Sequence, residues 1–263
     1  MEARSHAAPA HELRQSPGGG SLPHGGADLA RQAAIWSGFA LAYEVARGFA
    51  DRNAATALAN GRAVLHAERS LHLFFEQRLQ HALLGFGGLI TALGWTYWLS
   101  QFAVVSAVLL WVYLRHYDSY FLLRNALIIA NTLGLVIYIA VPSAPPRLLP
   151  GLVHDTLAAS GSLRHGSGLV TFAENPYAAM PSLHAADALL IAIALALIVR
   201  RPWLKALWLL WPAWVAFALV VTGNHFWLDI AAGVLLVAVA FPVSGALERR
   251  RLSLGERRLQ WQP

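Results

Sequence analysis

Cysteine is absent from the 263 residues, which excludes disulfide frameworks, thiol nucleophiles and Cys-ligated metals. Charge is scarce as well: Asp, Glu, Lys and Arg make up 13% of the chain, against about 25% in soluble domains. A water-soluble globule is therefore not expected. Lysine occurs once, at position 205, so the basic residues are almost all arginine. No internal repeat is visible. What the chain has in abundance is apolar surface, with 57% hydrophobic residues and a mean hydropathy of +0.48. Ten Trp, seven Tyr and eleven Phe gather toward the ends of long apolar runs, where a bilayer interface places amphipathic rings. The expectation is an all-α, polytopic membrane protein.

Residues 1–28, rich in Ala, Gly, Pro, His and Ser, predict a disordered tail. The first apolar stretch begins near Ala30 and is longer than a signal-peptide core. His6, His11 and His24 read as compositional bias rather than a metal tract. Five apolar stretches, near 30–50, 92–114, 121–141, 183–221 and 226–246, are long enough to cross a bilayer. The fourth divides into a close pair, 183–199 and 205–221, giving six transmembrane helices. Between the first two lies 55–84, too charged to span. On one helix it aligns Arg62, His66, Arg69, Glu76 and Gln80 on one stripe and Val64, Ala67, Leu71 and Phe75 on another, as expected of an amphipathic interfacial helix. The organisation is thus a tail (1–28), a six-helix membrane domain (29–247) and a basic cytoplasmic tail (248–263).

The formal charge of +6 raises nucleic-acid binding, but the positions speak for topology. With both termini cytoplasmic, thirteen basic residues lie inside and seven lie outside or in the first span. The clusters Arg200, Arg201, Lys205 and Arg249, Arg250, Arg251 are the clearest inside markers. A cell-membrane protein results, with loop 142–182 and the turn 222–225 on the extracytoplasmic face. Those two places hold the unusual polar residues: PSAPPR (142–147), NPYAAMPSLH (175–184) and TGNHFWLD (222–229). His225 and Asp229, four apart, share one helix face. The carboxylate can fix the tautomer of the ring and leave its other nitrogen free as nucleophile or base. His184 begins another helix at the same depth. Ser182 and the N–H groups of that helix start suit an anion, and Arg147 offers a fork-shaped cation for phosphate oxygens.

PSLH (181–184) and H-x-x-x-D (225–229) resemble the second and third signature blocks of the type-2 phosphatidic acid phosphatase superfamily. The wider phrases NPYAAMPSLH, TGNHFWLD and APPR resemble its inositol phosphorylceramide synthase-like branch, over roughly residues 30–246. The resemblance implies six transmembrane helices, no metal or other cofactor, and a phosphohistidine intermediate on a lipid-linked phosphate. It makes His225 the nucleophile, Asp229 its orienting carboxylate and His184 the general acid, with Arg147 and Ser182 as the phosphate-binding candidates. Three features depart from the family pattern. The first block, K-x6-R-P, is absent. Ala218 and Leu219 replace the Ser-Arg pair before the nucleophile. Leu183 replaces the usual Gly of the second block.

Other chemistries are weaker. A two-His, one-carboxylate metal site lacks further ligands, and Ser182 lies too close to His184 in sequence for a serine-protease pair. A transporter would gather polar groups at the midplane on broken helices and show repeated halves. Glu44 and Arg47 can pair within the first span. Asp187 is expected to hold the His184 ring or to cap its helix. Asn131 suits an interhelical hydrogen bond, and Arg124, roughly 27 Å from the outer loop at helical rise, suits a cytoplasmic anchor. Hydrolysis and transfer to an alcohol such as inositol remain equal alternatives, because water and a hydroxyl can attack the same phosphohistidine.

Overall fold

The computed structural model describes residue 22 and residues 24–49, 53–156 and 175–260. Residues 1–21, with His6 and His11, and residues 157–174, with Arg164, lie outside the described residues. Eight helices, and no strand, are found among the described residues. They are α1 (Gly25–Phe49), α2 (Ala54–Ser70), α3 (Glu76–Leu83), α4 (Gly87–Arg115), α5 (Tyr117–Ala140), α6 (Leu183–Ile198), α7 (Pro202–Val221) and α8 (Trp227–Gln260). α4 contains a widened π turn at Ser100–Val104.

Four of these are long and apolar enough to cross a membrane: α4, α5, α7 and, through Ser253, α8. α6 has only 16 residues. It is instead the centre of the bundle, with Leu190, Ile191 and Leu195 buried against Leu127 and Ala130 of α5 and Ala240 of α8. Leu209 and Leu210 of α7, Leu235 and Val239 of α8 and Phe102 of α4 point outward. With the backbone hydrogen bonds satisfied within helices, such an apolar exterior suits hydrocarbon surroundings.

The amphipathic segment 55–84 is two helices rather than one. A turn at 71–75, where His72 takes φ 56°, breaks the helical phase. Arg62, His66 and Arg69 stay exposed as expected, but Glu76 and Gln80 rotate inward and are fully buried, while Leu71 and Phe75 face out. α2 also braces the segment after α5: Asn60 Nδ2 donates to the Pro142 carbonyl at 2.8 Å, and the Ala144 N–H donates to the Ala57 carbonyl at 2.9 Å.

The two ends of the long loop are pinned side by side. The Ser143 N–H donates to the Tyr177 carbonyl at 2.7 Å and the Ala179 N–H to the Ser143 carbonyl at 3.2 Å. Two glycines then let the helices close on the PSLH turn. A Cβ on Gly134 of α5 would stand 2.6 Å from Leu183 Cδ2, and one on Gly233 of α8 would strike the Ser182 carbonyl. The Leu that departs from the family pattern is thus seated on a glycine of the facing helix.

Candidate active site

His184 lies in the first turn of α6. His225 stands in the turn just before α8, rather than on one helix face with Asp229 as the spacing predicts; the two helices start at the same end of the bundle. α6 begins at Leu183 because Ser182 turns extended (ψ 107°) and its Oγ accepts from the Ala185 N–H at 3.4 Å, capping the helix. α8 begins after the tight turn 222–226, where Asp229 Oδ2 accepts from the Phe226 N–H at 2.9 Å. The two starts are joined directly, since the Ser182 N–H donates to the Asp229 carbonyl at 2.8 Å. The histidine ring centroids stand 6.0 Å apart. His184 is half-buried and stacks on Tyr97 of α4, with centroids 4.4 Å apart, while His225 is buried.

Asp229 serves two groups at once. Besides its N–H bond, Oδ2 lies 3.5 Å from Nδ1 of His225. That is longer than the roughly 2.7–3.2 Å of a formed hydrogen bond. Catalytic hydrogen bonds are often long until substrate closes the site. Nε2 is the ring nitrogen left for chemistry.

Arg147 sits in a short 3₁₀ turn, Pro146–Leu148, directly against the His225 turn. Its N–H donates to the Gly223 carbonyl at 3.0 Å, its Nε to Asn224 Oδ1 at 3.0 Å and its Nη1 to Asp155 Oδ2 at 3.1 Å. The guanidinium is therefore anchored one residue from the nucleophile candidate, and Asp155 occupies one of its prongs. Five sequence-selected residues, Arg147, Ser182, His184, His225 and Asp229, thus converge at one end of the bundle. Ser182 is fully buried. Its oxygen is engaged as a cap, which leaves only its O–H to offer as a donor.

The remaining polar candidates resolve as follows. Asp187 neither holds His184 nor caps its helix; it accepts from Gln101 Nε2 at 2.7 Å and Asn131 Nδ2 at 2.8 Å. The π turn of α4 brings Gln101 to it, and Asn131 makes the expected interhelical bond. Glu44 and Arg47 pair at 3.6 Å. Arg47 Nε is buried with no partner among the described residues, and its charge acts on His184, Tyr97 and Tyr138. Tyr138, at the site end of α5, donates to the Pro181 carbonyl at 2.6 Å. Arg124 lies near the opposite end of α5, bonded through Nη1 to Gln32 at 2.5 Å.

Sequence reasoning missed a second layer behind His225. Glu76 Oε1 accepts from the Trp227 N–H at 3.1 Å and its Oε2 from the Phe75 N–H at 2.8 Å. Glu68 Oε1 accepts from the Leu228 N–H at 3.0 Å. Gln80 ties His154 to the end of α7, accepting from the His154 N–H at 2.7 Å and donating to the carbonyls of His154 (3.0 Å) and Val221 (2.9 Å). Burial pushes the Glu68 carboxyl up to about 9, with neighbouring Glu76 and Asp229 adding to the rise against the Leu228 N–H. Among the described residues no group of three or more His, Asp and Glu is arranged to hold a metal ion.

The sequence model of the PAP2 superfamily matches residues 62–243. The crystal structure of LpxE from Aquifex aeolicus is similar in fold, with a TM-score of 0.50 and 20% sequence identity. That likeness covers 66% of this chain and 93% of that one. No curated protein sequence matches the chain. The matched residues run from α2 to α8, so they take in both histidines, Asp229, Arg147 and the buried Glu68 and Glu76.

Proposed function

The chain belongs to the PAP2 superfamily, and from that membership we propose that it is a multi-pass membrane enzyme that removes or transfers a lipid-linked phosphoryl group. The observation that carries the reading is the pairing of two histidines on adjacent helix starts, with Asp229 behind one of them. The fold likeness to Aquifex aeolicus LpxE is consistent with it.

In the proposed reaction His225 Nε2 attacks phosphorus while the bond to the lipid oxygen breaks. The bonding pair leaves on that oxygen, which takes a proton from His184. Asp229 holds Nδ1 and stabilises the charge that develops on the ring. Water, or the hydroxyl of an alcohol such as inositol, then gives its proton to His184 and attacks phosphorus, returning His225 to its starting state. Arg147 meets the phosphate oxygens from the His225 side, and the charge of Arg47 reaches the site from α1. Fixed donors of this kind, aimed where charge develops, are each worth roughly 3–4 kcal/mol in rate.

α1 and α6 are counted as spans beside the four helices that are long and apolar enough to cross a membrane, which gives six. The excess of arginine on one side supports cytoplasmic termini and an extracytoplasmic site. The resemblance of NPYAAMPSLH to the inositol phosphorylceramide synthase-like branch keeps inositolphosphotransfer beside hydrolysis. Purified protein given a panel of lipid phosphates, with and without polyols, tests the reading. Phosphate release marks a phosphatase, and a phosphorylated polyol marks a transferase. Inertness toward the whole panel contradicts both.

A further inference from the structure

Three carboxyl groups, Glu68 of α2, Glu76 of α3 and Asp229 of α8, are buried together at the start of the helix that follows His225, all fully shielded from solvent. They are not an open acidic site. Four of their six oxygens are engaged or face His225: Glu68 Oε1 on Leu228, Glu76 Oε1 on Trp227, Glu76 Oε2 on Phe75, and Asp229 Oδ2 on Phe226 and His225. Two oxygens are buried without a donor, Glu68 Oε2 and Asp229 Oδ1.

The N-terminal N–H groups of α8 and its dipole favour negative charge here. One helix start does not offset three buried carboxylates, and like charges at such range force a proton onto one of them. Asp229 faces His225 and is the member best compensated in its charged form. Glu76 needs both oxygens as acceptors. Glu68 is the member that does not face His225, its Oε2 has no donor, and its Oε1 stands on the N–H next to the one that Glu76 holds. The groups facing Glu68 are Glu76 from α3 and Asp229 from α8, with His225 beyond Asp229. Arg69, the next residue on α2, is exposed and lies over Phe74.

We propose that Glu68 and Glu76 share one proton and act as positioning residues for the nucleophile, clamping the first two N–H groups of α8 so that His225 and Asp229 keep their register. The proton, held on Glu68 Oε2 and donated to Glu76, lets two carboxyl groups serve adjacent N–H groups without repelling each other or Asp229. Its loss leaves adjacent charges that push α2 and α3 apart and loosen the His225 turn. For catalysis this inference rests on the phosphoryl-transfer reading above, whereas the clamp itself does not.

The test uses the full-length protein in detergent. Glu68→Gln keeps the acceptor for Leu228 and makes the donor to Glu76 permanent, whereas Glu68→Ala removes both. With wild type, kcat is expected to fall as pH rises through about 9, with KM little changed. Glu68→Gln should stay within about threefold of wild type at neutral pH and lack that alkaline fall. Glu68→Ala should be impaired at every pH. Thermal unfolding supplies a readout that needs no turnover. Because the native pKa of Glu68 stands above its ordinary 4.5, its stabilisation is complete below 4.5 and lost as pH rises through about 9. Wild-type Tm should therefore drop across that range more steeply than the Tm of Glu68→Gln. Equal alkaline slopes for the two proteins, or a Glu68→Gln no better than Glu68→Ala, would overturn the shared proton. A wild type inert toward every lipid phosphate would overturn the enzyme reading, and the two Tm slopes would still decide the clamp.

Discussion

The start of α6 is closed by a hydroxyl, whereas the start of α8 is closed by three carboxyl groups, and the two ends carry different histidines. Behind His184 stand Ser182 as the cap, the Tyr97 ring against the imidazole, and a single carboxyl, Asp187, whose two oxygens are taken up by carboxamides. Behind His225 stand Asp229, Glu76 and Glu68. A negative surround favours a histidine that gains positive charge as it bonds to phosphorus. A surround whose one carboxyl is taken up by amides, with the Arg47 guanidinium nearby, favours one that gives up its proton. On the proposed mechanism the same element, a helix N-terminus, serves a nucleophile in one place and an acid in the other.

Substitutions that remove one end at a time break this comparison most sharply. His225→Ala is expected to lower kcat roughly 10⁶-fold in a folded protein, and Asp229→Asn roughly 10⁴-fold, since an orienting carboxylate costs less than the nucleophile it serves. Initial rates on the best lipid phosphate, with thermal unfolding as the fold control, give both values. His184→Ala should cost about 10²–10⁴-fold, the usual worth of a general acid. It should be rescued in part by substrates with a better leaving group, and Asp229→Asn should not. That difference in rescue is the feature that separates the two ends.

Arg147 sharpens the comparison from the side. Arg147→Ala is expected to reduce kcat/KM about 10²–10³-fold, with Arg147→Lys recovering only part because an ammonium lacks the fork. Arg124→Ala, at the far end of α5, should leave the chemical step unchanged. The reverse ranking would put the phosphate at the wrong end of the molecule. The smallest expected effects are on stability at the α6 start. Gly134→Ala meets Leu183 and should cost about 1–3 kcal/mol by overpacking, relieved by Leu183→Ala. Ser182→Ala should cost about 1 kcal/mol through the lost cap. Chemical denaturation in detergent measures both.

The parts of this arrangement held in short stretches of chain were legible in advance. PSLH carries its geometry within four residues and the apolar runs announce the helices, while H-x-x-x-D announces the pair but not its setting, since His225 stands in the turn before α8 and not on its face. Arg147 was legible because a proline-rich segment sits directly after a helix. The carboxylate layer was not. Glu68 and Glu76 reach α8 across 160 and 151 positions. The turn at 71–75 rotated inward Glu76 and Gln80, the end of a stripe that a single helix would have kept at the surface. Asp187 was misjudged for a related reason: its partners Gln101 and Asn131 come from two other helices, one of them displaced by a π turn. Local periodicity states which faces exist, and only packing states which faces meet.

The most direct test of the nucleophile assignment is mass-spectrometric mapping of phosphohistidine after turnover is quenched in base, where the N–P bond survives. The phosphoryl-transfer mechanism predicts a phosphoryl group on His225 during turnover, and none at any position in His225→Ala. A phosphoryl group on another residue, or full turnover by His225→Ala, would contradict it.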